Sequence, residues 1–320
     1  MQIDVLFIDP ACNKSYTWES HDTDGLGGTE LTTIRLAEGF GSKGLKVVVA
    51  QHFNIPYLES PNKVGYCGPD WLSTLKPKNV IVLRAQGRWD MLGNAKKFVW
   101  LHDASTPTVN HLTTWVPEIL KHQVTGIAVS DWHVKNLLQY APGFPLQRIY
   151  SPVDEGFYQP PVDYDKNQLV WLASPHKGLK QGLEVFRELK RRQPEMKLVV
   201  FNPGYYTEPQ GQHPGVAFLG SQPRSVVKSV LARSLCLFYP SVFEESFGMV
   251  AAEANALGVP VACYEIAGLA ESSVGPFCKD AEDLVTRVLE YRNVQRPKVS
   301  GQERFRFQQI FQDWLKVLRL

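Results

Sequence analysis

The chain has 320 residues, enough for about two domains of ordinary size, and 44% of them are hydrophobic while 21% are charged. Thirty-four Lys and Arg face 32 Asp and Glu, 14 against 13 up to residue 152 and 20 against 19 beyond it, so each half carries a single net positive charge. That even balance argues against a dedicated nucleic-acid binder. No apolar run approaches the roughly 18 residues of a membrane span. The opening MQIDVLFID reads as a strand without a basic leader or cleavage site.

Five cysteines without C-x-x-C spacing (Cys12, Cys67, Cys236, Cys263, Cys278) read as buried thiols of a reducing cytosol. Eight scattered histidines lack metal-ligand spacing, so no essential metal or other cofactor is expected.

In chain order, the first strand is expected at 3–8 and is followed by a long loop holding Trp18, His21, Asp22 and Asp24. That loop reads either as a flap over an acceptor or as plain solvated chain. GLGGTE, from Gly25 to Glu30, then leads into a helix at 29–40. Glycines at a helix N-terminus can cradle an anion, or they can merely shape a loop and cap. A dinucleotide fingerprint does not fit: Glu30 stands at the third glycine, and no acidic residue ends the second strand.

Further β-branched runs at 46–50, 80–83, 98–101 and 126–129 suit strands buried on both faces. After 80–83 come Arg84 and Arg88, candidates for an acceptor anion or a phosphate. The polar stretch 154–168, with Pro160-Pro161, reads as an interdomain linker. Beyond it, strands at 169–173, 198–201, 216–219, 235–239 and 259–264 alternate with helices at 182–192, 224–233, 247–257 and 281–291. A closing amphipathic helix carries Phe305, Ile310, Phe311, Trp314 and Leu318 near one stripe.

Alternating strands and helices, twice over, predict two Rossmann-like doubly wound α/β domains facing a cleft. The boundaries are 1–153 for an N-terminal domain and 154–320 for a C-terminal domain. The terminal helix of the second is expected to return to the N-terminal domain.

The most informative run is Pro240 to Glu271. Glu245 and Glu253 are eight apart, about 12 Å along a helix. That exceeds the roughly 5–9.5 Å of a glycosidase acid/base pair. Such a span suits the two ends of a nucleotide sugar, with helix amides of Phe247 to Val250 facing a diphosphate between them. By residue type alone, an N-cap and a solvated helix carboxylate fit equally well.

This run resembles the retaining GT-B glycosyltransferases of glycosyltransferase family four, which include sucrose synthases and phosphatidylinositol mannosyltransferases. Their signature is E-x7-E set in a run that opens Pro-Ser and continues Phe-Gly, Glu-Ala and Gly-x-Pro-Val. Here it stands within Pro240–Val261, with Gly268 and Glu271 in the following G-G-x-x-E position. SPHKG at 174–178 is similar to the family's phosphate-binding Lys-Gly. Residues 216–234 look like its base-binding loop and helix, WLHD at 100–103 like its strand-end His segment, and Gly27-Gly28 like its N-terminal di-glycine.

The resemblance implies an NDP-sugar-dependent hexosyltransferase acting on a hydroxyl acceptor, with no metal. Glu253 would bind the ribose and Glu245 the transferred sugar. Lys177 and the amides of Phe247, Gly248, Met249 and Val250 would hold the diphosphate. Ser174, Gly220 and Ser246 would complete the donor contacts. Gly27 and Gly28 would approach from the other domain, and His102 would stand near the reacting carbon. The acceptor would be a glycan, a glycolipid or a small molecule.

The resemblance has gaps. Leu172 stands where the family commonly has Arg, and the N-terminal half is short. These departures leave open a non-catalytic nucleotide-sugar sensor or partner subunit. Trp18, Trp89 and Trp115 are candidates for stacking on an acceptor, and Lys190 to Arg192 for touching an anionic membrane surface. The expected location is the cytoplasm, with peripheral membrane contact left open.

Overall fold

The computed structural model describes residues 1–20, 26–104, 112–159, 162–204 and 213–320. His21, Asp22, Asp24 and Gly25 of the first loop, and Pro160-Pro161 of the linker, lie outside them. The chain divides into two compact units, one of Met1–His21, Gly27–Ser151 and Gln308–Leu320, the other of Asp22–Leu26 and Pro152–Phe307.

The first unit is built on eight strands: β1 (Gln2–Asp9), β2 (Val47–Gln51), β3 (Leu58–Glu59), β4 (Val64–Cys67), β5 (Lys76–Leu83), β6 (Lys96–Trp100), β7 (Thr125–Ala128) and β8 (Leu146–Arg148). Their spatial order is β3-β4-β2-β1-β5-β6-β7-β8. All neighbours are parallel except β3, which runs antiparallel to β4. Residues 5–8 of β1 pair with Val47–Ala50 on one side and Asn79–Val82 on the other. Covered on both faces, these runs can be uniformly apolar, and Val5, Phe7, Val49 and Ile81 are fully enclosed. Helices α1 (Gly28–Ser42), α2 (Leu112–Lys121) and α3 (Asp131–Tyr140) belong to this unit.

The second unit carries β9 (Asp165–Leu172), β10 (Lys197–Phe201), β11 (Val216–Gly220), β12 (Ser234–Tyr239) and β13 (Val261–Cys263) in the parallel order β11-β10-β9-β12-β13. Around it lie α4 (Leu179–Arg192), α5 (Arg224–Ala232), α6 (Met249–Ala256), the single turn α7 (Leu269–Ser272) and α8 (Ala281–Asn293). In α4, Leu179, Leu183, Phe186 and Leu189 form the buried stripe, and Lys190, Arg191 and Arg192 suit the negative end of its dipole.

All five cysteines are free and buried. The stretch read as linker is partly structured: Asp154 caps a short turn at Glu155–Phe157, and β9 begins at Asp165. The last helix, α9 (Phe307–Leu318), packs almost entirely with the first unit. Phe311 lies 5.0 Å from Phe40, and Trp314 4.9 Å edge-on to Trp100. The boundary at 154–320 therefore differs from the compact units, because the apolar stripe of this helix has its aromatic partners in α1 and β6.

Candidate functional site

In both units the singled-out side chains gather where parallel strands end, the edge at which open α/β sheets take ligands. In the second unit, β9 ends at Leu172, which is buried in the position of the absent Arg. Ser174 follows, and its hydroxyl lies 3.0 Å from His176 Nδ1. Lys177 then reaches the carboxylate of Glu245, 68 positions away in sequence, with Nζ 2.9 Å from Oε1 and 2.8 Å from Oε2.

Glu245 is only 8% exposed, so its charge needs partners. Besides Lys177 it accepts a 2.6 Å hydrogen bond from the Tyr239 hydroxyl at the end of β12. Burial, and then the neighbouring Glu245 charge, push the Tyr239 phenol well above its usual range, so it remains a donor. Ser241 donates to the Lys177 carbonyl at 2.5 Å and accepts from the Phe243 amide, tying the two loops together. Burial, followed by the Lys177 charge, lowers the His176 pKa, and its ring meets Phe243 edge-on at 5.4 Å.

The turn after Glu245 depends on two glycines. Gly248 caps α6 in the left-handed region at φ 88°, a conformation other residues adopt with strain. Gly268 packs so tightly that a Cβ there would stand 2.4 Å from the Ser246 carbonyl oxygen and 2.7 Å from the Phe247 nitrogen. Its own amide donates to the Glu245 carbonyl at 2.9 Å. Ser246, Phe247, Met249 and Val250 are thus held at the start of α6, where first-turn amides lack helical acceptors. The helix begins at Met249, two residues later than the sequence reading, which leaves Glu245 outside it.

Inside α6, Glu253 is 3% exposed. Its carboxylate is paired with the Arg224 guanidinium at the start of α5, which in turn lies 5.0 Å over the Phe157 ring. Sequence reasoning missed Arg224, Tyr239 and Phe157. Arg224 lies inside the stretch likened to a base-binding loop, a signal that could have found it. Gly220 closes β11 at φ 61°.

In the first unit, the exposed Gly28 opens α1 behind Gly27, and the Thr32 hydroxyl bonds back to the Gly28 carbonyl. Two residues on, Glu30 is buried against Arg84, at 3.0 Å, and the same guanidinium lies 3.3 Å from the fully enclosed Asp9. Burial disfavours the Arg84 charge, but Glu30 and then Asp9 outweigh it and raise its pKa. With two carboxylates on one guanidinium, the Arg84 charge is already balanced inside the unit. Arg88 is exposed at the surface.

His102 lies just past β6, its ring 4.5 Å from Trp100. Enclosure of the ring, then Arg84, then His133, hold its pKa well below the usual value, so the imidazole is neutral. His133, which the sequence reading did not single out, is fully buried. The Val129 amide donates to its Nδ1 at 3.3 Å, so Nε2 carries the proton toward the Asp103 carbonyl 3.0 Å away. His133 therefore ties the segment after β6 to α3.

Of the tryptophans, Trp89 is buried, Trp115 packs partly against the first-unit core, and Trp18 lies 5.6 Å from Tyr66. The Lys190–Arg192 run is already engaged: Lys190 donates to the Pro194 and Met196 carbonyls, Arg191 pairs with Glu188, and Arg192 with Glu188 and Glu282. Among the described residues no cluster of His, Cys, Asp and Glu could hold a metal ion, and no helix is long and apolar enough to cross a membrane.

Residues 170–276, which span the Lys177, Glu245 and Glu253 segments, match the family model of glycosyl transferases group 1. The fold is that of GT-B glycosyltransferases. The structure of Anabaena HepE in complex with UDP-glucose superposes with a TM-score of 0.73 at 16% identity, covering 99% of each chain. A glycosyltransferase from Rickettsia africae gives 0.70 at 14% identity over 99% of this chain and 98% of the other. AviGT4, involved in avilamycin A biosynthesis, gives 0.67 at 17% identity over 99% and 97%. No curated protein sequence matches the chain.

Proposed function

We propose that the protein is a retaining glycosyltransferase that moves a hexosyl group from an NDP-sugar to a hydroxyl acceptor. The observation that carries this reading is the buried Glu245 carboxylate held by Lys177 and Tyr239 at the mouth of α6, inside the segment that matches glycosyl transferases group 1. HepE, of the same fold, was solved with UDP and with UDP-glucose, which makes a uridine diphosphate donor the first to test.

In this reading the anomeric C–O bond breaks as the nucleoside diphosphate leaves. The departing phosphate gains negative charge that Lys177 and the first amides of α6 stabilise, with no resident metal. Glu245 takes the sugar hydroxyls and Glu253 the ribose. Gly220, Ser174 and Ser246 line the donor. The acceptor hydroxyl attacks the oxocarbenium-like anomeric centre from the face the diphosphate leaves and passes its proton to the departing diphosphate oxygen, so no side chain need become glycosylated. Arg84 is not needed as a phosphate ligand, because Asp9 and Glu30 already hold it.

The test is a screen of UDP-, GDP-, ADP- and dTDP-sugars with hydroxyl acceptors, reading diphosphate release and product anomeric configuration by NMR. Diphosphate release with retained configuration supports the reading. Tight donor binding without turnover across all acceptors would favour a nucleotide-sugar sensor instead.

A further inference from the structure

The opposite edge of the first unit's sheet carries a second concave surface. A pocket of about 570 Å³ is lined by the loop before β6, the loop before β7 and the end of α9. Its charged lining is basic throughout: Lys96, Lys97, Lys121 and Arg319, with His122, Gln123 and Gln147 between them. Lys96 is the first residue of β6 and Thr125, also in the lining, the first of β7. At about 3.3 Å per residue, the five residues of β6 set this pocket roughly 15 Å from the strand ends that bear His102 and Arg84.

Basic residues at helix C-termini often do no more than balance the helix dipole, and α2 and α9 both end here. Magnitude decides against that account. Two helix C-termini amount together to about one negative charge. Glu118, which meets Lys121 at 3.3 Å and His122 at 3.2 Å, adds one more. With the α-carboxylate of Leu320, one residue past Arg319, counted as a third, the four permanent cations still exceed these negative charges, by about one. Nor do carboxylates absorb the rest: Lys97 Nζ is held by the Gly93 and Ala95 carbonyls at 2.7 and 3.1 Å, and Lys96 by the Leu318 carbonyl at 3.4 Å. By contrast, the two arginines of the Lys190–Arg192 run are matched by Glu188 and Glu282.

We propose that this pocket is a second ligand site, distinct from the strand-end site, that binds a phosphate-bearing anion. A surplus of positive charge, with no side-chain carboxylate among the described residues on Lys96, Lys97 or Arg319, suits a phosphomonoester, which carries about two negative charges near neutrality, or the more highly charged diphosphate. Arg319 supplies a planar fork and the lysines supply point charges around it. The phosphate comes either from a soluble phosphorylated molecule or from an anionic lipid headgroup. The inference is independent of the transferase reading.

The test uses the full chain with inorganic pyrophosphate as probe, by isothermal titration at about 50 and 300 mM salt. Lys121→Gln with Arg319→Gln removes two exposed cations of the pocket, and Lys97→Gln is a separate third substitution. Lys177→Ala removes the cation at the strand-end site. Cosedimentation with vesicles of phosphatidylglycerol and phosphatidylcholine, against phosphatidylcholine alone, runs in parallel. The expected result is a pyrophosphate site weakened about tenfold or more by the double substitution, and also by Lys97→Gln, retained in Lys177→Ala and weakened by salt. Vesicle binding lost in the double variant assigns the phosphate to a lipid; pyrophosphate binding without vesicle binding assigns it to a soluble molecule. Pyrophosphate affinity unchanged in both folded variants, or lost only in Lys177→Ala, overturns the proposal.

Discussion

The Lys177 ammonium grips both carboxylate oxygens of Glu245, at 2.9 and 2.8 Å, although 68 residues separate them. Without donor, the cation assigned to the diphosphate is thus neutralised by the carboxylate assigned to the sugar. Glu245→Gln removes that competitor while keeping a group that can accept from Tyr239. A naked nucleoside diphosphate should then bind as well as to wild type, or up to about fivefold tighter, from about 1 kcal/mol of released ion pairing. Turnover of the NDP-sugar should fall at least about 100-fold. Calorimetry with UDP and an assay of diphosphate release read the two effects separately.

Arg224 and Glu253 form a further charged pair in the second unit, with side chains 18% and 3% exposed. Arg224→Ala strands a buried carboxylate and should cost about 3 kcal/mol. Arg224→Ala with Glu253→Gln should recover much of that loss. Chemical denaturation of the single and double variants gives the coupling, and additive losses would contradict the pairing.

Gly268→Ala places a methyl 2.4 Å from the Ser246 carbonyl oxygen, a backbone atom that cannot swing away. The loop from Ser246 to Gly248 must shift. Stability should fall by about 1–3 kcal/mol, and UDP affinity by about tenfold. The check is denaturation beside titration of the same preparation.

The pH dependence of stability follows from His133. Its Nδ1 faces the Val129 amide, and burial lowers its pKa to about 4 despite the Asp103 carbonyl at Nε2. Above about pH 6.5 both folded and unfolded chains hold this histidine neutral, and nothing is lost. As pH falls below that, the unfolded chain takes up a proton the folded chain refuses. Stability should therefore decline between about pH 6.5 and 4, by up to about 3 kcal/mol for this residue. His102, also lowered, acts in the same direction. Urea midpoints measured across that range should fall less steeply in His133→Gln.

The apolar runs at 3–8, 46–50 and 169–173 announce strands because sheets covered on both faces need no alternation. The strands that escape such reading are short or marked by unfavourable residues: Gly65 lies inside β4, packed beneath Tyr57, and β8 is only Leu-Gln-Arg. Pro117 hid α2 in the same way. The site was legible only where its residues share one run. Glu245, Gly248 and Glu253 lie within nine positions, whereas Arg224 with Glu253, and Arg84 with Asp9 and Glu30, meet only after folding. Nothing in spacing tells an arginine already balanced by buried carboxylates from one open to an anion.

The most direct test is the titration of UDP, and of GDP, ADP and dTDP in turn, into wild type and Lys177→Ala. The account predicts one site for at least one of these diphosphates, weakened about tenfold or more by removal of the Lys177 charge. Absence of binding by every diphosphate at millimolar concentration, or equal affinity in Lys177→Ala, would contradict it.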